Sequence, residues 1–103
     1  MGSYEKAIEC YRKATELDPK FAIAWNNIGF SYTELGNYGK AIECCRKAIE
    51  LDPKFPNPWK HMGTSYYQPG NYAKAVECFQ KAIRLDPDYE GAKEGLALAQ
   101  AKL

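Results

Sequence analysis

The chain has 103 residues, 46% hydrophobic and 26% charged, the balance and length of one folded body and not of a disordered chain. Fourteen Lys and Arg against 13 Asp and Glu leave a formal charge of +1, which supplies no long-range field for nucleic acid or an anionic membrane. No apolar run approaches the roughly 20 residues that a membrane span needs, so neither nucleic acid nor a membrane is expected as a partner.

Leu-Asp-Pro occurs three times, ending at Pro19, Pro53 and Pro87, and both intervals are 34 residues. A fixed period of that length marks a stack of one repeated unit. Residues 22–55 and 56–89 align without gaps and agree at 17 of 34 positions, while residues 4–21 match 38–55 at 15 of 18. The chain therefore reads as a single repeat domain over 1–103: the second helix of a partial repeat (4–21), two whole repeats (22–55 and 56–89) and a closing helix (90–103).

In chain order, Tyr4–Leu17 carries Ala7, Ile8, Tyr11 and Ala14 on one helical stripe. Trp25, Ile28, Gly29 and Tyr32 then recur at helical spacing and predict a helix from Ala22 to Leu35. Gly36-Asn37 stops it, the glycine supplying a left-handed cap. The next helix is expected from Tyr38 to Leu51, with Ala41, Ile42, Cys45, Ala48 and Ile49 on its apolar stripe. Asp52-Pro53 ends that helix, because the residue before a proline is pushed out of the helical region. In the second whole repeat Pro69 removes a backbone donor, so the first helix should end near Gln68. The closing helix has Lys93 and Gln100 where whole repeats carry Trp and Tyr, the polar substitution of a solvated cap. Short loops make neighbouring helices antiparallel, six in all.

Glu9/Lys13, Glu43/Lys47 and Glu77/Lys81 place each Glu four residues before a Lys and are expected as solvated helix pairs. Cys10, Cys44 and Cys78 follow the repeat, which puts them on stacked helices about 8–10 Å apart; a disulfide needs Cα atoms closer than about 7 Å. Adjacent Cys44 and Cys45 point roughly 100° apart and suit no shared metal. Reduced structural thiols, no metal, no cofactor and a cytoplasmic location are the expectation.

These residues resemble the tetratricopeptide repeat, TPR, whose pattern is W-x2-L-G-x2-Y, then A-x3-F, then P over 34 residues. Here it reads Trp25-x2-Ile28-Gly29-x2-Tyr32, Ala41-x3-Cys45 and Pro53, then Trp59-x2-Met62-Gly63-x2-Tyr66, Ala75-x3-Phe79 and Pro87. The leading half supplies Ala7-x3-Tyr11 and Pro19. The resemblance implies an all-α solenoid of helical hairpins, a segment of right-handed superhelix. It also implies a non-catalytic module that binds a peptide or protein segment in a concave groove lined by the first helix of each repeat.

Residues one face away from the Trp/Gly/Tyr stripe should line that groove: Asn26, Asn27, Phe30 and Thr33 from one repeat, and Lys60, His61, Thr64 and Tyr67 from the next. Ile23, Glu34, Asn57 and Gln68 flank them, and the closing helix would add Glu94, Leu98, Ala101 and Lys102. Trp25/Trp59, Gly29/Gly63 and Tyr32/Tyr66 are identical between repeats, whereas Asn26/Lys60, Asn27/His61, Phe30/Thr64 and Thr33/Tyr67 all differ. The fold does not require those choices. Some TPR domains hold a C-terminal carboxylate through Lys and Asn on one first helix, Asn on the next, and Lys and Arg on a third. That clamp is not reproduced, since in its leading repeat Asn26 and Phe30 would stand for Lys and Asn.

Catalysis is not expected. His61 is the only histidine, and no phosphate loop, metal-ligand cluster or acid pair accompanies it. RNA binding wants a basic stripe, and the groove residues are mixed in sign. The rival reading is weak head-to-tail self-association, through Ala7, Ile8, Tyr11 and Ala14 at the leading half-repeat.

Overall fold

The computed structural model describes residues 3–103, which form six α-helices and no strand. They are α1 (Ser3–Leu17), α2 (Ala22–Glu34), α3 (Tyr38–Leu51), α4 (Pro56–Tyr67), α5 (Tyr72–Leu85) and α6 (Glu90–Ala101). Each helix packs on the next in the chain, and α2 also touches α4, as α4 touches α6. First helices therefore lie side by side, backed by the second helices, in a body measuring 41 × 29 × 19 Å.

The breaks follow from local chemistry. Gly36 and Gly70 take φ of 81° and 104°, left-handed backbone that a side chain disfavours. Asn37 and Asn71 then cap α3 and α5, each side-chain oxygen accepting from the amide of Lys40 or Lys74 at 3.5 and 3.4 Å. α4 ends at Tyr67 with Gln68 as its cap, two residues short of the glycine, as Pro69 requires. Between repeats the aspartate of Leu-Asp-Pro adds to the proline's effect. Asp18, Asp52 and Asp86 accept the amide two residues on, at 3.1, 3.3 and 3.1 Å, and their carbonyls accept from Phe21, Phe55 and Tyr89, each at 3.1 Å.

Small residues set the helix spacing. Ala41, Ala48, Ala75 and Ala82 are fully buried. A Cβ built on Gly29 would lie 2.7 Å from Cys45 Sγ, and one on Gly63 would lie 2.6 Å from the Phe79 ring. The apolar interior runs through the stack as three clusters. Ile8, Ile28, Tyr32 and Ala41 form the first; Cys45, Met62 and Cys78 the second; Ala75, Phe79, Ala82, Ala92 and Ala99 the third. Half-buried Trp59 packs against both the second and the third.

Two surface expectations change. Among the described residues, Lys47 meets Glu50 at 3.9 Å and Lys93 meets Glu90 at 3.8 Å, so none of the three Glu-to-Lys pairs at four-residue spacing closes. Exposed partners gain little from doing so. All four cysteines are free, but Cys10 is exposed while Cys45 and Cys78 are buried. Burial pushes the Cys45 thiol up to about 12 and that of Cys78 to about 11, which leaves both protonated and unreactive.

Candidate binding face along the first helices

Side-by-side packing of α2, α4 and α6 creates two seams related by the repeat. In the first, Phe30 of α2 meets His61 of α4 with ring centroids 5.1 Å apart, and Tyr4 of α1 meets the other side of Phe30 at 6.2 Å. Phe30 remains 37% exposed, so this aromatic row is open to a partner. Burial lowers the His61 imidazole to about 4, with the Lys60 charge adding to the effect. It is neutral at physiological pH and can give or take one hydrogen bond.

The structure brings six of the eight expected groove residues to this face and removes two from it. Asn27, Lys60, His61, Thr64 and Tyr67 are half-buried and Phe30 is exposed. Thr33 is instead 7% exposed: its hydroxyl lies 2.8 Å from that of Ser65 on α4 and donates to the Gly29 carbonyl at 3.0 Å. Asn26 is 4% exposed; its Nδ2 donates to Asn27 Oδ1 at 3.3 Å, while its own Oδ1 is buried without a partner among the described residues. Thr33 is covered where α4 packs beside α2, and Asn26, seven residues earlier, lies on the same side of α2. Sequence periodicity finds the face of one helix, but not where the next helix lands on it.

In the second seam the residues matching Phe30 and His61 are Thr64 and Gly95. A hollow of about 200 Å³ opens there, lined by Lys60, Thr64, Tyr67, Gln68, Gly91, Glu94, Gly95 and Leu98 over the Phe79 ring. Leu98 is 58% exposed, and Tyr67 is braced by Tyr72 at 5.3 Å between ring centroids.

The leading half-repeat differs from its expectation at one residue. Ile8 is buried against Ile28, Tyr32 and Ala41, because α2 covers that side of α1. Ala7, Tyr11 and Ala14 are half-buried, and Ala7 and Tyr11 help line a cavity of about 340 Å³ with Tyr4 and Phe30. A larger cavity, about 400 Å³, lies toward the second helices, floored by Ile49, Trp59 and Met62 and rimmed by Arg46 and Lys74. Arg46 donates there to the Tyr66 hydroxyl at 3.1 Å. Sequence reasoning missed it: of its charged rim only Glu77 was singled out, as a solvated helix pair with Lys81.

Among the described residues no group of three or more His, Cys, Asp or Glu is arranged to hold a metal ion, and no helix is long and apolar enough to cross a membrane.

A stack of helical hairpins with small residues at fixed crossings and a first-helix face of varied residues defines a helical-repeat solenoid. The tetratricopeptide repeat model matches residues 22–55 and 56–89, and a second TPR repeat model matches residues 1–36. The chain belongs to the TPR family. No match was found among curated proteins. Solved structures agree on the fold. The Arabidopsis OM64 TPR domain is 25% identical with a TM-score of 0.91, covering 97% of this chain and 83% of that one. The Sgt2 TPR domain from Aspergillus fumigatus is 29% identical with a TM-score of 0.91, over 96% of this chain and 67% of that one. The second TPR domain of human RPAP3, solved in complex with the HSP70 peptide SGPTIEEVD, is 28% identical with a TM-score of 0.89, over 96% and 82%.

Proposed function

We propose that this protein is a non-catalytic interaction module that binds a peptide or protein segment along the face formed by α2, α4 and α6. The observation that carries the reading is the half-open row of Phe30, His61, Lys60 and Tyr67, built from positions that differ between two repeats sharing their Trp, Gly and Tyr motif residues. Phe30 and Tyr67 offer apolar anchors; Asn27, Lys60 and neutral His61 offer hydrogen bonds to a peptide backbone. The RPAP3 domain, in complex with an HSP70 peptide, supports peptide binding as a use of this fold. A C-terminal carboxylate is not the expected ligand, because Phe30 stands where that clamp needs an amide and Asn26 is buried.

The test is a peptide array probed with the wild type and with a Phe30→Ala/Lys60→Glu/Tyr67→Ala variant. Peptides held by the wild type alone are expected; equal retention by both proteins would place binding elsewhere. Affinity indifferent to salt would favour peptide over RNA.

A second reading has its own support. The 340 Å³ cavity beside Tyr11 is a place where the α6 of another copy would continue the stack head to tail. Exposed Lys93 and Gln100 on that helix would keep the contact weak. Sedimentation across a concentration series, with Tyr11→Glu as control, should show association for the wild type only; a concentration-independent monomer for both ends the idea.

A further inference from the structure

The hollow between α4 and α6 rests on the same face but carries a more specific meaning. The geometry points to it as an anchor pocket for one bulky apolar side chain, of phenylalanine or leucine size, projecting from the bound peptide. This deepens the groove reading and depends on it for the identity of the ligand as a peptide.

The seam between neighbouring first helices is built twice. Between α2 and α4 the space above the second-helix residue is filled by the protein itself, with Phe30 against His61 at 5.1 Å. Thirty-four residues on, the same two positions are Thr64 and Gly95, and the space is vacant to about 200 Å³. The first seam thus shows what fits the second: a flat or branched apolar group.

Gly95 has a packing reason of its own. A Cβ there would lie 2.6 Å from the Phe79 ring, so the close approach of α6 to α5 demands glycine whether or not a ligand exists. That demand does not explain Thr64 or Leu98. Leu98, 58% exposed, lines the hollow together with Tyr67 and Phe79 and gives it an apolar wall.

Size and charge narrow the occupant. Pockets for small molecules usually run to about 300–1,000 Å³, so 200 Å³ suits a side chain and not a free ligand. Lys60 and Glu94 stand on the rim with opposite charges, which gives no preference for an ionic side chain. With Gln68 they are placed to meet the amides of the peptide backbone on either side of the anchor.

The test uses N-acetyl-phenylalanine amide as probe and N-acetyl-glycine amide as control, read by the amide NMR shifts of Gly91, Gly95 and Leu98. Saturable shifts in the millimolar range are expected with the first compound and none with the second. Thr64→Phe, which places in the second seam the residue that fills the first, should weaken the probe at least tenfold. Leu98→Glu, at an exposed position, should do the same without altering the melting temperature. Equal responses to the two amides, or unchanged binding by both variants, would overturn the proposal. Peptides selected on the wild type that bind Thr64→Phe equally well would also remove the pocket while leaving the groove intact. Probe binding without any peptide binding would keep the pocket and sink the groove reading instead.

Discussion

The two whole repeats share their motif residues and yet are closed by different means. In the first, α2 rests on a thiol: Cys45 Sγ is the atom a Gly29 Cβ would strike, at 2.7 Å. In the second, α4 rests on a phenyl ring, and the Phe79 ring is gripped a second time by Gly95 of α6, at 2.6 Å from each built Cβ. Large and small residues are distributed differently across the two seams. Small Cys45 is followed by large His61 on the next first helix, and large Phe79 by Gly95. A repeat motif therefore sets which positions touch, while neighbouring repeats settle between them how the space is divided.

The comparison breaks most visibly at its hub. Phe79 is 2% exposed and joins three helices, so Phe79→Ala should cost about 3–5 kcal/mol, whereas Cys45→Ala removes one atom and should cost about 1. Urea denaturation of both variants checks this. Equal losses would show that the two closures are mechanically alike.

The second test exploits the other half of the exchange. His61 is held neutral, its pKa lowered from 6.5 to about 4 by burial and by Lys60. Because the folded value lies below the unfolded one, the contribution is fully present above pH 6.5 and is lost as pH falls toward 4. The loss should reach on the order of 2–3 kcal/mol. His61→Phe keeps a ring against Phe30 and carries no titrating group, so its melting temperature should fall less across that window. Parallel pH profiles for the two proteins would remove the buried-imidazole account.

Most of the fold was legible because its causes are local or periodic. The helix bounds follow from Gly36, Gly70, Pro69 and three Leu-Asp-Pro turns, and the core follows from the spacing of Trp, Gly, Tyr and Ala. The candidate face was legible only in part. Phe30, Lys60, His61 and Tyr67 reach it, but Asn26 is buried and Thr33 is consumed by the α2–α4 seam, where it finds Ser65 at 2.8 Å. That contact joins residues 32 apart in the chain, and no helical period within α2 announces it. Ile8 is lost to α2 for the same reason. The hollow beside Leu98 was visible only as a list of separate exposed positions, since its depth comes from Gly95 and Phe79 meeting across two elements. A repeat-wise table of seam partners, Phe30/His61 against Thr64/Gly95, is the signal that would have found it.

A smaller effect distinguishes the glycines. Gly63→Ala drives a Cβ into a rigid ring and should cost about 1–3 kcal/mol by overpacking. Gly29→Ala meets first the tip of a cysteine side chain, which can turn aside, although the Ala41 carbonyl oxygen at 3.2 Å limits the relief. The loss should be the lesser of the two. Thermal melts of the pair suffice, and a reversed order would mean that the first repeat is packed more tightly than the second.

The finest difference lies in the two tryptophans. The Trp25 indole donates to the Pro19 carbonyl at 2.9 Å, tying α2 to the turn before it. Trp59 occupies the same place in the next repeat, but its Nε1 is buried without a partner among the described residues. Replacement by phenylalanine removes similar area at both sites, so the packing losses nearly cancel in the comparison. What remains is a hydrogen bond given up at Trp25 and an unsatisfied donor relieved at Trp59. Trp25→Phe should therefore be the more destabilising by about 1 kcal/mol, a difference of the size of one hydrogen bond. Paired urea titrations resolve it. If Trp59→Phe proves the costlier change, the second indole has a hydrogen bond after all, and the two repeats are anchored to their turns in the same way.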